Sequence, residues 1–171
     1  DNYKPDDTTL FIYTLPWWIR NIDGKYRQDF LPTTSSVEEV IKKLEEIHPK
    51  IISTYPTYLT KMAPYGIDLK NYGVELVIVH SEQSTRQSRD MLEKALNVKV
   101  LDEYSSEELT RIALECPEHI YHLEEDACYI EIVDPKTKEN KNYEERGVVV
   151  GTNLLNMSTP IIRYYQGDLA E

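Results

Sequence analysis

The chain has 171 residues, 40% of them hydrophobic, enough to bury one core of ordinary domain size. Its 19 basic and 30 acidic residues leave a formal charge of −11, which excludes nucleic-acid binding driven by overall charge. The two cysteines, Cys116 and Cys128, do not make a disulfide framework, and no apolar run reaches membrane-spanning length, so a cytoplasmic chain with neither nucleic acid nor membrane as partner is expected.

In chain order, "TLFIYT" (9–14) reads as a buried strand. "LPWWIRNIDGKYRQDF" (15–30) reads as a loop with a turn at Asp23–Gly24, its Trp17 and Trp18 covering a sheet or a subunit contact. "TTSSVEEVIKKLEEIHP" (33–49) is a helix: Ser35 or Ser36 caps it, Glu38 or Glu39 completes a capping box, and Pro49 stops it. Val37, Val40, Ile41 and Leu44 share one face, and His48 suits the negative end of the dipole. "KIISTY" (50–55) is a strand, "PTYLTKMAPYG" (56–66) a short helix running from proline to glycine, and "ELVIVH" (75–80) a buried strand ending on the polar His80. "STRQSRDMLEKALN" (84–97) is a helix capped by Ser84, with Met91, Leu92, Ala95 and Leu96 inward. "VKVLDEY" (98–104) is a strand, and a helix is predicted to follow it as far as Cys116. Beyond Glu118 the helices cease. "IYHL", "ACYIEIVD", "GVVVGTNLL" and "PIIRYYQGD" read as strands, and the charged stretch 134–146 as a hairpin tip. The pattern predicts an α/β fold: parallel-strand βαβ units with covering helices over residues 1–117, then an antiparallel, distorted barrel-like β portion over residues 118–171.

Three stretches carry chemistry. "LDEYSSEEL" (101–109) lies at the carboxyl end of a predicted parallel strand, where open α/β sheets bind ligands. Ser105 and Ser106 add hydroxyls beside backbone N–H groups that suit an anion, a neighbouring glutamate can hold magnesium, and Tyr104 offers a flat face to a base. The same residues also read as a helix cap with glutamates complementing the dipole. Asp168, after Gly167, reads either as an acceptor for a ribose diol or as a turn residue. Cys116 and His122, with His119 between them, read either as half of a tetrahedral zinc site or, for the thiol, as a small buried side chain. Cys128, among apolar neighbours, reads as core.

Five segments in order carry a resemblance to the adenylate-forming enzymes, the acyl- and aryl-CoA ligase superfamily, in its phenylacetate-CoA ligase-like branch. "LEEIHPKIISTYPTYLTKM" resembles that branch's helix–strand–"YPSxL" segment, and "VHSEQSTRQSR" its "SGExLT…R" segment. "DEYSSEE" resembles the "Y-G-x-[ST]-E" motif, "ALECPEHIYHLEEDACYIEIVD" the "EC…lHv.eD…vEivD" stretch, and "GVVVGTNLLNMSTPIIRYYQGDL" the segment ending "PlIRYrtGDl".

The resemblance implies a ligase that activates an aryl or medium acyl carboxylic acid with ATP as an acyl-adenylate and passes it to coenzyme A. It implies that Tyr104 stacks on adenine and that Ser81 and Glu82 form the turn beneath it. Ser105 and Ser106 stand in the phosphate-facing motif, Glu108 matches the magnesium ligand, and Asp168 matches the ribose-binding aspartate. Tyr55, Pro56 and Tyr58 fall where the branch lines its acyl pocket. Cys116 and His122 match a pair that in the branch joins a distal "C-x-C" around zinc. A homodimer is implied because the branch is often dimeric. Ser105 and Ser81 stand where the family has glycine, Glu107 where it has serine or threonine, and Tyr165 where it has arginine. The family's phosphate loop and its mobile domain with the catalytic lysine match no part of this chain, so the expectation is negligible adenylation by the chain alone. A non-catalytic nucleotide-binding or interaction module, or an adenylyltransferase acting on another substrate, are the alternatives.

Overall fold

The computed structural model describes residues 4, 6–15 and 27–171. The Asp23–Gly24 turn and the roles assigned to Trp17 and Trp18 lie outside the described residues. The chain divides into two compact units, Asp1–Asp102 and Glu103–Glu171.

The first unit is a parallel α/β layer. Strands β1 (Thr9–Tyr13), β2 (Gln28–Pro32), β3 (Ile51–Thr54), β4 (Leu76–Val79) and the start of β5 (Lys99–Ser106) lie in the order β2-β1-β3-β4-β5, all neighbours parallel. Helix α1 (Val37–Ile47) follows β2, α2 (Pro56–Met62) follows β3 and α3 (Arg86–Leu96) follows β4. One cluster holds the layers together, with Leu10 and Ile12 of β1, Ile52 of β3, Val77 of β4, Leu44 of α1 and Leu96 of α3 all shut off from water. Each such side chain contributes roughly 1.5–3 kcal/mol by leaving water.

Local chemistry sets the helix ends. Ser36, of the two serines considered, caps α1, accepting from Glu39 N while Glu39 returns a bond to Ser36 N at 2.7 Å. His48 ends α1 in the left-handed region, its N–H on the Leu44 carbonyl. Pro56 opens α2, which tightens into a 3-10 turn over Ala63–Tyr65 and stops at the left-handed Gly66. Helix α3 corrects two expectations. Thr85 caps it in a capping box with Ser88, and the Ser84 hydroxyl instead donates to Asp102 at 2.7 Å. Met91 is 65% exposed and Ala95 is also outward, because Arg89 takes the inner face beside Leu92 and Leu96. The predicted loop before α1 hides a strand, since Gln28–Pro32 pairs with β1 along its whole length.

The second unit is antiparallel. The end of β5 pairs with β6 (Thr110–Glu115), and β6 with β7 (Tyr121–Leu123). A second sheet runs β8 (Cys128–Val133), β9 (Gly147–Asn153) and β10 (Tyr164–Ala170), with β9 central. The helix predicted after Tyr104 is therefore a hairpin. Leu109, Ile112 and Ala113 have helical spacing and are all buried, which is the pattern that suggests a helix. Thr110 takes φ 64° and the β5–β6 register shifts between Tyr104 and Ser105, and Leu109 and Ile112 pack together with Cys128. The Ser106 hydroxyl accepts from Leu109 N at 3.1 Å inside this turn, as a turn residue and not a helix cap. Cys128 is buried beside Leu109 and Ile112, and burial pushes its thiol up, as suits a core cysteine.

Candidate functional site

In the first unit the chain leaves β1, forms β2 on one side, and returns to form β3 on the other. Neighbouring loops diverge at such a reversal and leave a crevice at the carboxyl ends of the strands. A cavity of about 400 Å3 lies there. Thr14 follows β1, Thr33 follows β2, Tyr55 follows β3, and Ser81 with Glu82 follow β4; all five line it, with Thr57, Tyr58 and Lys61 from α2. Tyr55 and Tyr58, taken from the sequence as acyl-pocket residues, thus meet Ser81 and Glu82, taken as an adenine-facing turn. Pro56 is the first residue of α2 and fixes its start.

Hydrogen bonds hold this wall in place. Glu82 takes both the amide and the hydroxyl of Thr57, at 3.0 and 2.9 Å. Ser81 adopts φ 63°, the left-handed region open to the glycine for which it substitutes, and its hydroxyl is 2.8 Å from His80 Nδ1. His80 is buried, stacked on Tyr13 at 4.5 Å with Tyr55 at 5.4 Å. Tyr58 donates to the Ser35 carbonyl at 3.0 Å, and burial first, then the Glu39 charge, pushes its phenol up. Lys61 reaches the same carbonyl at 2.9 Å and lies 4.9 Å over the Tyr58 ring. Sequence reasoning missed Lys61; its place three residues after Tyr58 on a helix, hence on the same face, was the available signal.

In the second unit the structure brings together two residues 64 positions apart. The Tyr104 hydroxyl donates to Asp168 Oδ2 at 2.7 Å. Tyr104 is half-buried against Leu109, Ile112 and Cys128, while Asp168 is exposed in β10. Burial chiefly, and the carboxylate it donates to, push the Tyr104 phenol well up. Gly167, at φ 89°, lets β10 turn through the irregularity between Tyr165 and Leu169 where Asp168 sits. In the same unit, Tyr164 donates to Glu108 Oε1 at 2.7 Å, and Asn153 Nδ2 donates to the Glu108 carbonyl at 2.8 Å. The Tyr164 phenol is raised, mainly by that bond to Glu108. Tyr164 and Asn153 escaped the sequence reading, in which neither stood out. Ser105 lies opposite Arg111 in the hairpin, and Glu107 is exposed.

Cys116 and His122 belong to the β6–β7 hairpin, where Cys116 N donates to the Ile120 carbonyl at 2.9 Å and His122 pairs with Leu114. The Cys116 thiol also bonds Glu118 and lowers that carboxyl. His119 Nδ1 lies 3.0 Å from the buried Glu115. Among the described residues no three His, Cys, Asp or Glu side chains gather so as to hold a metal, so the residues present do not make a closed zinc site. Magnesium asks for less: it keeps waters and phosphate oxygens around one or two carboxylates, and Glu108 has one oxygen not engaged by Tyr164. No helix among the described residues is long and apolar enough to cross a membrane.

No protein-family model matches the chain. The chain is similar to a phenylacetate-coenzyme A ligase of Thermus thermophilus, 32% identical over 99 residues that are 56% of this chain and 22% of that protein. Its fold matches that of a 2-hydroxyisobutyryl-CoA ligase solved with 2-HIB-AMP and CoA, at a TM-score of 0.83 and 22% identity, over 98% of this chain and 40% of the other. It also matches MatB of Rhodopseudomonas palustris, at a TM-score of 0.69 and 12% identity over 88% and 32% of the two chains. An anthranilate CoA ligase bound to anthranoyl-AMP matches at 0.68 and 16%, over 88% and 32%. The chain thus spans about a fifth of the curated relative it matches and two fifths or less of these solved chains.

Proposed function

We propose that this chain, a stretch of the adenylate-forming acyl- and aryl-CoA ligase superfamily, supplies the adenosine-holding and acyl-holding surfaces of a ligase that activates a carboxylic acid as acyl-AMP for transfer to coenzyme A. The observation that carries this reading is the 2.7 Å contact of Tyr104 with Asp168. A flat aromatic face and a carboxylate side by side suit a base and its ribose diol. Asp168 Oδ2 accepts the phenol hydrogen bond, and Oδ1 remains to accept from a ribose hydroxyl.

Further roles follow from the motif matches. Ser106 would supply the hydroxyl to the α-phosphate beside Ser105 at the motif's glycine position, Ser81 and Glu82 would form the turn at adenine, and Tyr55, Pro56 and Tyr58 would line the acyl site. Glu108 would hold magnesium, which neutralises charge on the transferring phosphate when bound; Tyr164 fixes the rotamer of that carboxylate. Cys116 and His122 would contribute two ligands to a zinc site completed by residues of another segment.

Binding of AMP, followed by calorimetry, tests the reading. Tyr104→Ala should weaken AMP by roughly tenfold, as loss of one base–aromatic stack worth ~1–3 kcal/mol requires. Asp168→Ala should weaken AMP more than 2′,3′-dideoxy-AMP, because only the former offers a diol. Equal losses for the two ligands would remove Asp168 from the ribose. Catalysis of phosphoryl chemistry rests on charge stabilisation that the chain's motifs supply only in part, so ATP–pyrophosphate exchange by these 171 residues alone should be negligible. A second reading, a nucleotide-binding module without catalysis, is favoured by Glu107, an exposed carboxylate where the family's motif has a hydroxyl.

A further inference from the structure

We propose that the cavity of the first unit takes a short carboxylic acid carrying a second anionic group, and that Lys61 selects it. This deepens the ligase reading and rests on it, since it names the acid that the acyl-holding surface fits.

Every side chain lining the cavity carries a hydroxyl or a charge, set among apolar surface such as the rings of Tyr55 and Tyr58. Most of those polar ends are already used: Glu82 by Thr57, Ser81 by His80, and Tyr58 by the Ser35 carbonyl. Lys61 differs. Its ammonium carries three donors, of which the Ser35 carbonyl takes one. Among the described residues Lys61 makes no ion pair, and Glu82, the acid in the same wall, is turned to Thr57. Contact with the Tyr58 ring and with Ser35 holds the cation at the cavity instead of leaving it to sweep solvent. A phenyl or alkyl group packed against the Lys61 ammonium would take water from it and return nothing, which is costly. A carboxylate at the far end of the acid would replace that water with a charge-assisted bond. The volume of about 400 Å3 suits a small acid, being near the lower end of ligand pockets.

Succinate, butyrate and 4-hydroxybutyrate have the same carbon count and differ at the distal end. Calorimetric titration of the 171-residue chain should show succinate binding about tenfold tighter than butyrate, as one charge-assisted hydrogen bond allows. Lys61→Met, which keeps an unbranched stem on the Tyr58 ring, should bring the ratio to within about threefold, and Lys61→Arg should keep the preference. The proposal is overturned if butyrate or 4-hydroxybutyrate matches succinate, if succinate does not bind, or if Lys61→Met retains the preference. AMP titrated into the same wild-type sample separates the two readings. AMP binding without a succinate preference removes only the acid assignment; a succinate preference without AMP binding removes only the ligase reading.

Discussion

Tyr104 is held at both ends: its ring packs on Leu109, Ile112 and Cys128, and its hydroxyl is spent on Asp168. Both effects keep the proton on the phenol, burial being the larger. The unfolded chain loses that proton near the ordinary value of 10.0, while the folded chain keeps it to higher pH. The stability this contributes is complete below pH 10.0 and is lost as pH rises above it. Urea midpoints measured from about pH 8 to about pH 11 should fall above pH 10.0, and should fall less steeply in Tyr104→Phe. Tyr58, Tyr164, Lys43 and Lys50 are raised too, but they are common to both proteins and cancel in the comparison. Parallel curves would mean that the phenol is not held as described. Glu82 shows the same economy on the other unit, where one carboxylate satisfies an amide and a hydroxyl of Thr57 and so fixes the start of α2 under the cavity.

Among the elements, α1 and β6 stand at opposite ends of what could be read from residues alone. The α1 signal is local: a serine, a glutamate three residues on, and one apolar stripe, all within one helix. Ser36→Ala should therefore cost about 1 kcal/mol in denaturant unfolding, and Ser35→Ala should not act through the cap, since Ser35 does not make it. The β6 signal is not local. Its side chains repeat as in a helix, and only pairing with β5 and β7 makes it a strand, through the left-handed Thr110 and the shifted register at Tyr104 and Ser105. Strand β2 escaped for a related reason: it gains its identity from pairing with β1, and Gln28 and Asp29 interrupt any apolar run. The candidate site divides likewise. Tyr104, Glu108 and Asp168 stood out through motif order, whereas Lys61 and Tyr164 matter only because folding brings them to a cavity wall and to a carboxylate. Gly151 makes the packing in this region testable. A Cβ there would run into the Leu109 side chain, so Gly151→Ala should destabilise by roughly 1–3 kcal/mol. Leu109→Ala opens that space at its own cost, and the double variant should be less unstable than the sum of the two; strict additivity in a denaturation cycle would show that these atoms do not meet.

For the whole molecule, what matters is that each unit has its own apolar cluster and that the two differ in size. The first unit buries residues from β1, β3, β4, β5 and all three helices in one cluster. The second has a small group around Leu109, Ile112 and Cys128 and another of Val133, Val148 and Val150. Strand β10 is exposed along most of its length and carries Asp168. Local opening follows buried apolar contact, so amides of β1, β3 and β4 should exchange slowest with deuterium and those of β7 and β10 fastest among the strands. A ligand that binds only the closed form slows exchange by mass action, by ~2.7 kcal/mol at a hundredfold excess over its dissociation constant. If AMP is held by Tyr104 and Asp168, that slowing should be seen in β10 and in the β5–β6 hairpin, both of which open while the core of the first unit stays shut. Succinate should leave those amides unchanged and slow instead the start of α2, where Thr57 and Lys61 face the cavity. One exchange experiment with two ligands thus assigns the two surfaces separately. Protection by AMP confined to β1 and β3 would detach the nucleotide from Tyr104 and Asp168, and with it the reading of the second unit as an adenosine site.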